Sequence, residues 1–484
     1  MRFSLPVPGD TRAFAHRHRF AILAIVMIDS IMATLDGSMV TIALPSISAG
    51  YGATLSDTQW VLTAYLIAMT CLFIFFGRMS ERTGTAILFT IGSIIFTASS
   101  LACGLVGDLH QLVLFRITQG IGSSMIAGIG TVILFRVFPP NELGRVLGYS
   151  GSVVSFCGFV GPGLGGFISD TIGWQAIFFV NVPIGIFLFL CNIRYLRVPD
   201  PVATGRNTDW IGAATLCVSC ATLMLMFGDL AAHGAVTTAA ALYGTVFLLS
   251  LAGFLARELS CADPLLDLSI FRNSRYVLLI VCALLCTVAS FMISTLVPFY
   301  LEGALSLSAF QAGLILMVNP VVMVAASGAT GWIIDRYRWK YFAGTGLAVS
   351  AVATFFLGYA FFALNLIVIL AMLVLWGIGM LAFNMQNRID ILKSLPYEKA
   401  AVATSLSTTT RTFGASLGVM AGSTLLTLLL GSWYGYTGPV LAAGPANLAD
   451  AAGIVVIAGG VLFVVAAFLS LYRSSGSGIV SGHE

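Results

Sequence analysis

Residues 112–124 read LVLFRITQGIGSS, and Arg116 and Gln119 stand inside an apolar run that continues to about residue 135. The run is long enough to cross a bilayer, because a spanning helix needs ~20 apolar residues. An arginine at the centre of such a helix costs about 3 kcal/mol or more in lipid. Arg116 therefore needs a partner or a water-filled space.

The rest of the chain agrees with a membrane setting. Of 484 residues, 58% are hydrophobic and 9% are charged, with a mean hydropathy of +0.98. A soluble domain has about 25% charged residues. The chain reads as an integral membrane protein. A net charge of +3 is too small to imply nucleic acid. The nine cysteines, Cys217 and Cys220 and also Cys282 and Cys286 among them, lie mostly within apolar runs and read as small hydrophobes. Arg12, Arg17 and Arg19 precede the first run with no small-residue cleavage site behind it, so an uncleaved first helix is expected. No Gly-Lys dipeptide exists, which excludes a phosphate-binding loop of the ATPase type. The histidines fall in tails or loops, and no catalytic or metal-binding cluster is legible. A non-enzyme is expected.

Apolar runs of spanning length lie near 20–45, 58–77, 86–106, 111–135, 146–169, 176–195, 210–229, 236–256, 276–299, 311–334, 341–362, 365–387, 402–430 and 452–472. With the N-terminus inside, every basic residue except Arg116 and Arg411 falls on the cytoplasmic side. That asymmetry is the one lipid insertion selects. Fourteen spans with both termini cytoplasmic are therefore expected.

The chain also resembles itself. LSDTQ at 55–59 opens the second span and LSAFQ at 307–311 opens the tenth, each with the Ser-x-x-Gln pattern of a helix start. GRMSERTG at 77–84 and GWIIDRYR at 331–338 close the same two spans. The offset of eight helices predicts a six-helix bundle over 1–200, an inserted pair over 201–260, and a second six-helix bundle over 261–484. The last ends in a tail, SSGSGIVSGHE, expected to be disordered. Two such halves around a midplane site are a transporter arrangement.

Here a family resemblance becomes specific. GRMSERTG resembles the loop signature between the second and third helices of the major facilitator superfamily. Arg116-x-x-Gln119-Gly120-x-Gly122 resembles its fourth-helix motif. GFVGPGLGG at 158–166 is similar to the fifth-helix motif of its antiporters, and LDGSMVTIALP at 35–45 to the first-helix motif of its fourteen-helix drug:proton antiporters. WQAIFFVNVPIG at 174–185 and TRTFGASLG at 410–418 resemble the same branch. The resemblance implies a proton-coupled efflux transporter in a bacterial inner membrane. It would work by alternating access, use the proton gradient with no cofactor, and act as a monomer.

Four charged residues lie well inside spans: Asp29, Asp36, Arg116 and Arg411. At 1.5 Å per residue, Asp36 lies ~13 Å and Arg116 ~9 Å from the outer end. Their similar depth suggests a pair, in two helices that the resemblance puts beside the cavity. Asp36, Asp29 and Arg116 are the expected proton-coupling and substrate residues. Asp29 and Arg411 share a depth of ~13 Å from the inner side and could meet across the halves. Gln119, Asn319, Asn384 and Arg411 are candidate polar contacts of the cavity. Gly158, Gly161, Pro162, Gly165 and Gly166 remove bulk and weaken the helix ladder, which suits close packing and a bend. Gly77, Glu81, Arg82, Gly84, Arg145, Asp335 and Arg336 form the expected cytoplasmic gate. An acid-bearing face suits a lipophilic, cationic drug. The alternative is a dedicated exporter of a specific metabolite or of a neutral or anionic antibiotic.

Overall fold

The computed structural model describes residues 9–198, 209–233, 236–260, 268–337, 339–394, 400–436 and 438–476. After a short helix at Gly9–Arg17, the long helices are α1 (Arg19–Tyr51), α2 (Trp60–Thr83), α3 (Thr85–Leu105), α4 (Leu109–Val137), α5 (Pro140–Thr171), α6 (Gln175–Tyr195), α7 (Trp210–His233) and α8 (Thr238–Ser260). They continue as α9 (Ser274–Gly303), α10 (Ala309–Leu316 and, after Met317, Val318–Tyr337), α11 (Phe342–Phe362), α12 (Leu366–Ser394), α13 (Ala400–Tyr434) and α14 (Pro445–Gly476). Among the described residues no strand is present. Among the described residues, twelve helices are both long and apolar enough to cross a membrane, against the fourteen spans expected. The other two expected runs overlap α2 and α5, of 24 and 32 residues.

Local chemistry sets the helix ends. Gly52, with φ at +60°, ends α1. Gly84 has φ at +99° between α2 and α3, a conformation that L side chains rarely adopt. Asp108 accepts from the Gln111 N–H at the start of α4, and Asn273 from the Arg275 and Tyr276 N–H groups at the start of α9. Ser308 and Gln311 form the expected capping box on α10. Its counterpart differs: Thr54, not Ser56, caps the turn before α2, accepting from the Asp57 N–H.

The helices pack as two sets with the same pairings. In the first, α1 packs on α4, α5 and α6, α2 on α4, and α3 on α4 and α6. In the second, α9 packs on α12, α13 and α14, α10 on α12, and α11 on α12 and α14. Each pairing in the second set is one in the first, shifted by eight helices. Glycine contacts repeat as well: a Cβ on Gly122 of α4 would sit 2.8 Å from the Gly92 carbonyl of α3, and one on Gly379 of α12 would sit 2.5 Å from the Gly346 carbonyl of α11. Between the sets, α1 meets α9, α2 meets α13 and α5 meets α10. The hairpin of α7 and α8 leans on α2 and α13 through α7, so it covers one side of the interface only.

The halves touch at one end and part at the other. Near the end of α5 and the start of α10, a side chain on Gly166 would strike the Ala309 carbonyl, and one on Gly163 the Met317 sulfur. Phe167 and Phe310 meet edge to face at 5.9 Å, and the Phe310 N–H donates to Asp170 Oδ2 at 2.8 Å. Toward the other ends of these helices, Phe156, Val321, Val324 and Trp332 are exposed, and nothing lies within 4 Å of a Cβ on Gly158 or Gly328. The space between the halves is a wedge, open at the end that bears the basic loops.

Candidate functional site

Asp36 and Arg116 are fully buried and in contact, with Arg116 Nη1 2.6 Å from Asp36 Oδ2. The helices of the first half supply the rest of the site. Gln119 Nε2, one turn along α4, donates to Asp36 Oδ1 at 3.0 Å, and Asn181 Nδ2 of α6 donates to the same oxygen at 2.9 Å. Gln119 Oε1 accepts from Arg116 Nη1 at 2.5 Å, so the amide bridges both partners of the ion pair. Ser100 of α3 accepts from Gln119 Nε2 at 2.8 Å. Arg116 Nε donates to the Val61 carbonyl of α2 at 2.8 Å, and the guanidinium lies over the Tyr65 ring, 4.2 Å from its centroid. Arg116 Nη2 has no partner.

This geometry answers the charge problem raised by LVLFRITQGIGSS. The guanidinium is matched by a carboxylate, a carbonyl, an amide oxygen and an aromatic face. Breaking such a buried pair from one side leaves an uncompensated charge and costs about 3–5 kcal/mol. Every described neighbour of the Asp36 oxygens donates a hydrogen bond. None accepts one. The arrangement therefore holds a carboxylate and has no acceptor for a carboxylic acid proton.

Asp29 is one level deeper and equally buried. It accepts from the Ser93 hydroxyl of α3 at 2.9 Å, and its Oδ2 has no partner. The structure does not bring it to Arg411, which is exposed on α13 in the other half. Depth along an axis leaves azimuth open: Asp29 points at α3.

Two further expectations need correction. Asp36 and Arg116 do not face the wedge, being wholly enclosed by α1, α2, α3, α4 and α6. Gln119, expected to line the cavity, is enclosed with them, because both ends of its amide are used inside the half. Asn319 is half-buried against Gly377 of α12, with its Nδ2 unpartnered, and Asn384 is half-buried on α12.

The glycines of α5 serve two neighbours. Gly161 and Gly165 face α1, where any side chain would overlap Ser38 or Met39. Gly166 and the Pro162 carbonyl face α10 at Ala309 and Gly313, while Gly158 faces open space. Of the expected gate, a Cβ on Gly77 would sit 3.8 Å from the Gly128 carbonyl, Gly84 makes the turn described above, and Arg336 is exposed. The side chains of Glu81, Arg82, Arg145 and Asp335 lie outside the described residues.

Sequence reasoning missed Asn181, Ser100, Ser93 and Tyr65. Asn181 left a signal, an amide alone among apolar residues in IFFVNVPIG. The hydroxyls left none, since serines are spread through many spans.

Two of the solved structures similar to this chain are transporters. One is a bacterial homologue of the human lysosomal transporter Spinster in an inward-facing, unoccupied conformation, with a TM-score of 0.67, 15% identity and coverage of 97% of this chain and 98% of that one. Another is a D-xylose–proton symporter, with a TM-score of 0.61, 13% identity and coverage of 94% and 97%. At such identities the likeness concerns the fold. In sequence, the riboflavin transporter RibZ of Clostridioides difficile (strain 630) is 32% identical over 405 residues, which is 83% of this chain and 87% of that protein. The multidrug export protein EmrB of Escherichia coli (strain K12) is 27% identical over 404 residues, covering 82% and 78%. The family model described as Major Facilitator Superfamily matches residues 26–419. The chain is a membrane transporter and belongs to the Major Facilitator Superfamily.

Proposed function

We propose that this transporter is a proton-coupled exporter of the fourteen-helix drug:proton antiporter branch, exchanging protons for small lipophilic compounds by alternating access. It sits in the bacterial inner membrane with both termini in the cytoplasm, acts as a monomer, and needs no cofactor beyond the proton gradient. The names of its relatives support transport of organic compounds: one is a riboflavin transporter and another a multidrug export protein.

The observation that carries the proposal is the donor shell of Asp36. Three N–H groups point at its carboxylate, so the conformation with the wedge open fits an ionised Asp36. On the positive-inside reading, the open end faces the cytoplasm. This is the state that has released its proton and accepts substrate. A proton arriving on Asp36 must displace a donor or turn one away. Because the donors come from α4 and α6, protonation loosens the packing of the first half around α1. α1 also touches α9 across the interface, which gives the proton a mechanical route to the second half.

The two acids sealed in the first half offer no exposed negative charge to a cation. That favours the alternative substrate reading, a neutral or anionic compound, over the cationic one.

The test is gradient-driven export of a lipophilic fluorescent dye in proteoliposomes. Asp36→Asn is expected to abolish it, since an amide cannot load and unload a proton, while dye binding persists. Undiminished export by Asp36→Asn would remove Asp36 as the carrier and turn attention to Asp29.

A further inference from the structure

The second half holds two cations that the coupling site does not use. Arg411 on α13 and Arg388 on α12 are both exposed and have no hydrogen-bond or ion-pair partner among the described residues. They are close enough for the charge of one to act on the other. Gly414 and Gly418, on the same side of α13 as Arg411, pack on α9 at Leu284, Thr287, Val288 and Phe291. Met380 of α12 faces α9 as well, its sulfur 3.9 Å from the Ser290 hydroxyl, and Asn384 and Arg388 follow it toward the open end at four-residue steps. Both arginines therefore stand where α9, α12 and α13 wall the wedge.

Among the described residues no acid pairs with either of them. Asp29 and Asp36 are sealed in the first half, and Asp390 accepts from Gln386 Nε2 at 2.8 Å. Two of the unpartnered buried groups of the second half are N–H donors, alongside the Thr295 and Ser350 hydroxyls and Glu302 Oε1. Trp376, 5% exposed and one turn before Met380 on α12, has an unpartnered Nε1. Asn319 Nδ2 is unpartnered beside it on α10.

We infer that the transported compounds are lipophilic organic anions, and that Arg411 and Arg388 bind the acidic group. The inference rests on the exporter reading above. Guanidinium forks suit a carboxylate or phosphate, and such charge-assisted bonds are about twice as strong as neutral ones. The indole of Trp376 and the amide of Asn319 can donate to carbonyl or ring acceptors on the apolar body. The same charges couple binding to closure. Shutting the wedge on an empty site would bury two like charges without a partner, which is strongly unfavourable. An anion between them removes that penalty, so the loaded transporter closes and the empty one does not.

The test uses one apolar body with three charges: 1-pyrenebutyrate, 1-pyrenebutanol and 1-pyrenebutylamine. Binding to the full chain in nanodiscs is read by energy transfer from tryptophan, with protein-free nanodiscs subtracted. The butyrate is expected to bind at least about ten-fold tighter than the amine, Arg411→Gln to erase that preference, and Arg411→Lys to restore part of it. Equal or tighter binding of the amine to the wild-type protein overturns the inference even if no variant folds. A preference unchanged in both Arg411→Gln and Arg388→Gln overturns it too. Loss of gradient-driven export in Asp36→Asn is read separately. A failed charge preference beside an intact Asp36 effect sinks only the substrate class; the reverse result sinks only the coupling.

Discussion

In the first half, Arg116 is fully buried with Asp36 at 2.6 Å; in the second, Arg411 is exposed and has no partner among the described residues. The two halves nevertheless share their helix pairings, and even a glycine contact between α3 and α4 that recurs between α11 and α12. Helix pairing in a membrane depends on backbones approaching where side chains are small. Those positions recur in both halves. The polar residues are free to differ: one half encloses a carboxylate with its guanidinium, while the other leaves two arginines exposed.

The largest expected effect separates the two arginines. Arg116→Ala leaves Asp36 buried and unpaired, and is expected to lower stability by about 3–5 kcal/mol. Arg411→Ala removes an exposed side chain and should stay within about 0.5 kcal/mol. Thermal unfolding in one detergent compares them directly, and similar losses would erase the contrast. A smaller effect sharpens it within the first half. Asn181→Ala removes one charge-assisted bond to Asp36, and should cost about 1.5–3 kcal/mol. Leu190 on the same helix is 61% exposed, so Leu190→Ala serves as the control. The smallest effect concerns the line where the halves meet. Gly166→Ala must push α5 from the Ala309 carbonyl, an overpacking of about 1–3 kcal/mol that falls on the closed end alone. Spin-label distances across that end should lengthen. Gly158→Ala, only eight residues away in open space, should leave them unchanged, and a shift in both would mean that α5 bends as a whole.

Much of the fold was legible because lipid imposes it. Apolar runs, basic loops and the eight-helix offset all follow from the cost of exposing polar groups in hydrocarbon. The shared depth of Asp36 and Arg116 could be counted along the chain. The capping of α2 was misread because Thr54 and Ser56 are both competent caps, and only the approach of the chain selects Thr54. Asn181 and Ser100 reach Asp36 from helices far away in sequence. Their role depends on which faces of α3 and α6 turn inward, and nearly uniform apolarity hides that choice.

The sequence by itself determined that this chain lives in a membrane, that its halves are related, and that four charges lie within its spans. These are properties of single helices: length, hydropathy and depth along an axis. Only the tertiary structure decided where each charge points. Arg116 turns inward to Asp36 while Gln119 closes over both, Asp29 turns to Ser93, and Arg411 is left exposed. The physical reason is that azimuth is set by packing between helices. In a span apolar on every face, no hydrophobic stripe marks the buried side, so close backbone approach at glycines such as Gly122 and Gly379 fixes the rotation.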